Sequence, residues 1–135
     1  MPDVYDKATR SRVMRSVVSR DTKPEMHVRR VLHSMGYRFR LHRADLPGTP
    51  DIVLPRHHTV IFVHGCFWHQ HEGCERSERP ASNSAYWQRK LTRNMERDQI
   101  NRRALETAGW RVVTLWECEI ATTKNLAHLL TERLS

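Results

Sequence analysis

The chain lacks the features that mark membrane and secreted proteins. It has no long apolar run and no basic amphipathic helix with a broad apolar face, so we predict neither a membrane span nor a membrane-surface helix. Its N-terminus carries no apolar signal segment, and an odd number of cysteines, 3, cannot close entirely into disulfides within one chain. These absences favour a reducing cytoplasm, where thiols remain available.

Acidic residues are few relative to basic ones. Asp and Glu number 15 against 23 Lys and Arg, which gives a formal charge of +8 and favours a polyanionic partner, with nucleic acid as the leading candidate. The alternative, that the charge only aids solubility, is weaker at this magnitude. Repeats, low-complexity tracts and flexible linkers are also absent, so we expect one domain over residues 1–135.

The local patterns predict an α/β protein with the element order αα-βββ-α-β-α. A basic helix is expected over residues 7–18, and a second helix begins where Thr22 supplies a cap with Glu25 three positions later. Gly36 ends that helix. Three strands follow over residues 37–42, 51–54 and 59–63, then a long helix over residues 86–107, a central strand over residues 110–116 and a final helix over about residues 124–134.

Side-chain periodicity assigns faces to two of these elements. The strand over residues 37–42 alternates, so one side is buried and the other, with Arg38, Arg40 and His42, faces solvent or DNA. The helix over residues 86–107 crosses between strands, which makes the strand over residues 110–116 parallel to its neighbour. That helix is expected to turn four apolar side chains to one side: Trp87, Leu91, Met95 and Leu105.

The most informative motif lies at residues 64–74 and reads HGCFWHQHEGC. Cys66, His71 and Cys74 stand at loop spacing, and Cys118, expected at the same end of the sheet, completes the tetrahedral ligand set that zinc prefers. Four protein ligands leave no position for water, so this zinc ion would be structural. The alternative, buried apolar cysteines and solvated histidines, suits isolated residues better than a cluster.

Three residues suggest phosphodiester hydrolysis. Asp51, at the head of a short strand, can hold magnesium if a backbone carbonyl such as that of Val63, water and a phosphate complete the octahedron. Its alternative role is to cap the preceding turn. His64 and His69 are candidates to deprotonate water and protonate the leaving oxygen, because imidazole titrates near neutral pH. Glu25 could orient one of them, although its capping position explains it equally well.

Two aromatic residues lie between the zinc and catalytic candidates. Phe67 and Trp68 occupy a loop that is too short to bury both, so we expect them to be exposed and able to stack between bases, at an unstacking cost of a few kcal/mol. Trp87 could join them from the long helix. Its phase with Leu91 favours a core position at least as strongly.

Taken together, four segments resemble the very-short-patch (Vsr-type) mismatch repair endonucleases. The segments are residues 6–11 (DKATRS), 46–51 (LPGTPD), 60–69 (VIFVHGCFWH) and 109–112 (GWRV), and the likeness runs over nearly the whole chain. It implies a restriction-endonuclease-like core, with a mixed central sheet flanked by helices and a structural zinc site. The implied activity is a magnesium-dependent nick 5′ of the thymine of a T:G mismatch left by deamination of 5-methylcytosine.

Carried over by position, the resemblance implies roles for individual residues. Asp51 and the Val63 carbonyl would bind magnesium, and His64, His69 and Glu25 would arrange water and the scissile phosphate. The implied intercalating residues are Phe67, Trp68 and Trp87. Residues 1–20 would form a DNA-clamping segment, with Met14 and Val17 on one helix face and with phosphate contacts from Lys7, Arg10, Arg12 and Arg15.

The resemblance also implies partners and a location. The substrate would be double-stranded DNA with a T:G mismatch, and the partners would be MutL-like repair proteins and a repair DNA polymerase in the bacterial cytoplasm, at the nucleoid. A monomer suffices for a single nick. Two other functions remain open: a zinc-stabilised DNA-binding protein without catalysis, and a related nicking endonuclease for another lesion or a restriction site.

Two features depart from the family pattern. Restriction-endonuclease-like proteins usually carry a second carboxylate and a lysine on the third strand, and residues 62–64 offer neither. A one-carboxylate, histidine-assisted mechanism is therefore required. The zinc segment at residues 71–74 is one residue longer than expected, which makes Cys74 a weaker ligand candidate than Cys66, although Gly73 can absorb the insertion.

Overall fold

A four-stranded mixed sheet with helices packed against it organises the chain, in a computed structural model that describes residues 21–135. The predicted basic helix over residues 7–18 lies outside this range. The helices are α1 (Lys23–Ser34), α2 (Ser84–Thr107), α3 (Glu117–Thr122) and α4 (Leu126–Leu134), and the strands are β1 (Arg40–Leu41), β2 (Ile52–Leu54), β3 (Thr59–His64) and β4 (Arg111–Trp116). Short 3-10 turns cover Pro55–His57 and Glu75–Ser77. The predicted α/β class with a mixed sheet is confirmed.

The strand order β1-β2-β3-β4 determines which loops meet. β1 pairs with β2 and β2 pairs with β3 in antiparallel fashion, whereas β3 and β4 are parallel and pair His64 with Trp116. The residues that follow β3 and β4 therefore lie at the same end of the sheet, as predicted. The prediction of a central position for β4 was wrong, since β4 is an edge strand of the sheet formed by residues 21–135. Helices, rather than a further strand, bury its apolar side chains.

Two apolar clusters cover the two faces of the sheet. One joins residues of α1, α3 and α4 to one side of the strands, and the other places Leu105 of α2 against the opposite side. Ile52 and Leu54 belong to the first cluster and Val53 to the second, so all three residues of β2 are buried. This explains why β2 reads as a continuous apolar run. Among the described helices, none is long and apolar enough to cross a membrane.

Two predicted side-chain faces need correction. Residues 37–41 alternate in burial as predicted, but only Arg40–Leu41 is strand. His42 was predicted to face outward, and its side chain is only 8% exposed, because a backbone φ of 48° interrupts the alternation. Met95 was predicted to pack with the apolar side of α2, yet it is 40% exposed. The inner stripe of α2 is half polar and consists of Trp87, Leu91, Asn94, Asp98, Asn101 and Leu105.

Candidate active site and metal centre

A pair of buried carboxylates lies where α1 meets the sheet. Asp51 directly precedes β2, and its Oδ2 accepts a 2.8 Å hydrogen bond from the backbone N–H of Val63 on β3. Glu25, in the first turn of α1, is 1% exposed, and the Thr22 side chain caps this helix as predicted. Burial, together with the charge of Glu25, raises the pKa of Asp51 to about 7. Two buried oxygen donors that disfavour each other's charge suit a hard divalent cation.

Glu25 has different partners from those predicted. Its Oε1 accepts from the backbone N–H of Asp21 at 3.1 Å, and its Oε2 accepts from Arg29 Nη1 at 3.1 Å. His42 Nε2 lies 3.0 Å from the same Oε2. The prediction that Glu25 orients His64 or His69 by hydrogen bonding was therefore wrong, because α1 begins beside the end of β1, where the nearest imidazole is that of His42.

His64 and His69 form a stacked pair. His64 ends β3 and His69 lies in the loop that follows, with ring centroids 3.7 Å apart and planes inclined by 3°. Burial, and then the neighbouring imidazole, lowers the pKa of His64 to about 3, so His64 is neutral at physiological pH. His69 Nδ1 lies 2.6 Å from Asp98 Oδ2 on α2. A carboxylate at this distance fixes the ring orientation of His69.

The carboxylates and the histidines form two adjoining clusters rather than one. The possible ligand atoms of His64, His69 and Asp98 lie within 4.8 Å of one another, and Asp51 does not belong to that group. The two clusters meet on β3, since Val63, which binds Asp51, directly precedes His64. Asp51 therefore does not join the two imidazoles in a single cluster as predicted, and the two groups are linked only through the consecutive residues Val63 and His64 of β3.

The four predicted zinc ligands converge. The donor atoms of Cys66, His71, Cys74 and Cys118 lie within 4.8 Å of one another. His71 Nδ1 is 3.7 Å from the sulfur of Cys66 and 3.3 Å from that of Cys118. A tetrahedral zinc ion with ordinary bond lengths separates such atoms by about 3.6 Å, so the site fits the metal. Burial raises the pKa of the Cys66 thiol to about 12, and a cation at this site would stabilise the thiolate.

Neighbouring groups hold the loop over residues 66–74 in place. The backbone N–H of Cys66 donates to Glu117 Oε1 at 3.0 Å, and the His71 ring stacks on Trp116 with centroids 4.2 Å apart. Gly73 has a φ of 72°, and a Cβ added there would meet nothing within 4 Å. The loop therefore passes through a left-handed conformation at Gly73, and Cys74 reaches the cluster.

The aromatic residues form a cluster of their own at the edge of the loop. Phe67 lies 5.1 Å from Trp68 and 5.3 Å from Trp87 between ring centroids, and the two tryptophans are 6.0 Å apart. All three are half-buried, so the predicted exposure of Phe67 and Trp68 was wrong: the rings shield one another. Trp87 belongs to neither apolar cluster of the sheet. Asn94 Nδ2 donates to the Trp68 carbonyl at 3.1 Å and ties the loop to α2.

Comparison with known proteins identifies the family. The family model described as "DNA mismatch endonuclease Vsr" matches residues 2–76, more than half of the chain. The chain belongs to the Vsr family of DNA mismatch endonucleases. It is 44% identical to DNA mismatch endonuclease Vsr of Escherichia coli (strain K12) over 135 residues, covering 99% of this chain and 86% of that protein.

Other Vsr-like relatives are nicking enzymes. The chain is 51% identical over 121 residues to the type II nicking enzyme V.XorIIP of Xanthomonas oryzae pv. oryzae, covering 90% of this chain and 88% of the relative. It is 43% identical over 135 residues to the type II nicking enzyme V.NmeAIP of Neisseria meningitidis serogroup A, covering 100% and 93% of the two chains. Vsr membership thus places the chain among DNA endonucleases.

Sequence reasoning missed three side chains of this Vsr site. Asn94 and Asp98 follow Trp87 by about two and three helical turns, so helical spacing alone places them on the inner face of α2. Apolar periodicity assigned Met95 to the inner side of α2, so it gave no indication that the polar residues Asn94 and Asp98 lie there. His42 gave no comparable signal, since its burial depends on the turn at the end of β1. The predicted DNA contacts Lys7, Arg10, Arg12, Met14, Arg15 and Val17 lie outside the described residues.

Proposed function

We propose that this Vsr-family chain is a magnesium-dependent nicking endonuclease for T:G mismatches that arise from deamination of 5-methylcytosine. It cleaves the phosphodiester 5′ of the mismatched thymine and so initiates very short patch repair. The observation that carries the proposal is the buried pair of Asp51 and Glu25, which is linked through Val63 of β3 to the stacked His64 and His69. Family membership supports DNA as the substrate.

Asp51 and the backbone carbonyl of Val63 would hold the magnesium ion. When bound, the ion activates water and stabilises charge on the phosphate oxygens. The hydrogen bond from the Val63 N–H restrains Oδ2 of Asp51 and fixes the direction of the carboxylate. Glu25 adds a second buried negative charge, which favours a divalent over a monovalent cation at this position.

The two imidazoles take different parts in the reaction. His64, which is neutral because it is buried and stacked on His69, can orient the attacking water by accepting a hydrogen bond from it, but its lowered pKa makes it too weak a base to take the proton away. Asp98 holds His69 through Nδ1 and leaves Nε2 for contact with the scissile phosphate or the leaving oxygen. The mechanism uses one acidic metal ligand and no lysine, because residues 62–64 supply neither a second carboxylate nor a lysine on β3.

DNA engagement combines a wedge with a clamp. Phe67, Trp68 and Trp87 insert beside the mismatch, where unstacking costs less than in a fully paired duplex. Residues 1–20 clamp the duplex, with Met14 and Val17 toward the bases and four basic side chains on phosphates: Lys7, Arg10, Arg12 and Arg15. A structural zinc ion at Cys66, His71, Cys74 and Cys118 anchors the loop that carries Phe67 and Trp68.

The wider setting follows from the same proposal. Residues 1–135 form one endonuclease domain with a restriction-endonuclease-like core, for which the antiparallel β1-β2-β3 segment and the helical crossover to parallel β4 are the supporting topology. The enzyme acts as a monomer in the bacterial cytoplasm at the nucleoid. Its nick is passed to MutL-like repair proteins and a repair DNA polymerase.

A nicking assay tests this function. End-labelled T:G and C:G duplexes are incubated with zinc-loaded, magnesium-free protein, and magnesium is then titrated. We expect a single nick in the T:G duplex, mapped 5′ of the thymine, that requires magnesium and disappears in Asp51→Ala. Asp45→Ala is the matched control, since Asp45 is an exposed carboxylate paired with Arg43.

The outcomes separate the rival functions. Binding of the T:G duplex that survives in Asp51→Ala, with no cleavage by the wild type in any divalent metal, would identify a DNA-binding protein without catalysis. Faster cutting of another mismatch, or of unmodified duplex, in a panel of sequence contexts would assign the nuclease to another lesion or to a restriction site.

A further inference from the structure

His42 is a buried imidazole that the mechanism above does not use. Its side chain is 8% exposed, and its backbone has a φ of 48°, a conformation that is uncommon for a residue with a Cβ. Nε2 is buried and, among residues 21–135, has no hydrogen-bond partner of good geometry. A buried polar atom without a partner costs about 1–3 kcal/mol, so its retention in this position needs an explanation.

The sheet register places His42 between the two buried carboxylates. β1 and β2 pair Leu41 with Ile52, and the next hydrogen bond runs from the His42 N–H to the Asp51 carbonyl at 3.1 Å. Nδ1 of the ring lies 3.9 Å from Asp51 Oδ1, and Nε2 lies 3.0 Å from Glu25 Oε2. The two nitrogens therefore face different carboxylates, and the rigid ring sets the distance between them.

A second metal ion is the competing explanation for this cluster. Possible ligand atoms of Asp21, Glu25 and His42 lie within 4.8 Å of one another. Arg29 Nη1, however, is 2.7 Å from Asp21 Oδ1 and 3.1 Å from Glu25 Oε2, so a positively charged guanidinium already lies between these two carboxylates and would repel a second cation there. The contacts favour a hydrogen-bonded support around Glu25 over a separate cation site.

We propose that His42 is a positioning residue of the magnesium site, which holds Glu25 at a fixed spacing from Asp51 and thereby raises the affinity of the site for a divalent cation. The inference rests on the proposed function, because it requires a cation at Asp51. A slight rotation of the Glu25 carboxylate completes the hydrogen bond from Nε2–H. Removal of such an outer partner typically weakens metal affinity about 10–100-fold.

Manganese binding in the absence of DNA tests this role without any dependence on nicking. Free Mn²⁺ is measured by electron paramagnetic resonance during titration of zinc-loaded wild type, His42→Leu, His42→Gln and Asp51→Asn. Leu and Gln bear similar strain at this backbone position, so the difference between them reports the hydrogen bond. His33→Leu, a change at an exposed histidine of α1, is the matched control.

We expect an Asp51-dependent Mn²⁺ ion in the wild type that binds about 10–100-fold more weakly in His42→Leu. His42→Gln should restore much of the affinity, because its amide can donate to Glu25, and His33→Leu should bind like the wild type. Zinc content and circular dichroism check that each variant is folded. Equal binding in wild type, His42→Leu and His42→Gln would overturn the inference, as would tighter binding in His42→Leu.

Two further results are informative. Loss of a second bound Mn²⁺ in His42→Leu, with the Asp51-dependent ion unchanged, would make His42 a metal ligand and would also overturn the positioning role. Absence of any Asp51-dependent Mn²⁺ in the wild type would remove the proposed magnesium site and this inference with it, whereas failure of the His42 variants alone leaves the proposed function intact.

Discussion

At the scale of single residues, Asp51 is held in an environment that opposes its charge. Its pKa is raised to about 7, chiefly by burial, whereas an unfolded chain would ionise it near 3.8. A raised carboxyl pKa stabilises the fold fully below pH 3.8, and this contribution is lost as pH rises through 7. The metal-free protein therefore becomes less stable toward neutral pH on account of this one group.

Asp51→Asn removes this titration and tests its sign. We expect the free energy of unfolding of the metal-free site to be higher in Asp51→Asn than in wild type at pH 8.5, and the gap to narrow by about 2 kcal/mol at pH 5.5. Urea unfolding of both zinc-loaded proteins at each pH measures it, and effects of pH on the zinc ligands cancel in the comparison. If the difference in free energy of unfolding between the two proteins instead widens toward pH 5.5, the raised pKa of Asp51 is contradicted.

The second prediction at this scale concerns Asp98. Asp98→Asn keeps the size of the side chain but removes the carboxylate that lies 2.6 Å from His69 Nδ1. We expect the single-turnover nicking rate to fall about 100-fold, in the range typical of general acid–base groups, with duplex affinity unchanged. Glu96→Gln, an exposed change on the same helix, should leave the rate unaltered. Equal rates in Asp98→Asn and wild type would show that His69 needs no orienting partner.

At the scale of elements, we expect the loop over residues 64–74 to depend on zinc coordination more than on packing. Cys66 is its fully buried anchor, and Cys118 reaches it only because β3 and β4 are parallel. We expect Cys66→Ala to lose the single zinc ion and cooperative unfolding together, because the loop lacks a core of its own. Metal analysis and thermal unfolding measure the two effects. A Cys66→Ala protein that is metal-free yet fully folded would contradict this role.

The same elements show what sequence could and could not predict. The α1 cap and the parallel β4 carry local signals, and the parallel placement of β4 predicted that Cys118 would lie near the loop over residues 64–74. The turn after β1 carries no comparable signal, and the burial of His42 was missed with it. Likewise, the polar inner stripe of α2 breaks the rule that buried helix faces are apolar, because Asp98 and Asn94 support the loop rather than the core.

At the scale of the whole molecule, the formal charge of +8 concerns affinity rather than specificity. Phosphate contacts release condensed counterions, so binding weakens as salt rises, with a slope of about 0.9 in log–log form for each phosphate neutralised. With the four phosphate contacts proposed for residues 1–20, duplex affinity should fall about 100-fold between 50 and 200 mM salt. Mismatch discrimination, which we propose depends on Phe67, Trp68 and Trp87, should change much less over the same range.

The double variant Arg12→Gln/Arg15→Gln tests this division of labour. Loss of two phosphate contacts should lower the salt dependence to about 10-fold over the same range, and should weaken T:G and C:G duplexes equally. Fluorescence anisotropy at five salt concentrations gives the slope for each duplex. Arg56→Gln is the control, since Arg56 is exposed at the turn before β3, at the end of that strand opposite His64. An unchanged slope in the double variant, or a loss confined to the T:G duplex, would mean that residues 1–20 read the mismatch instead of clamping the backbone.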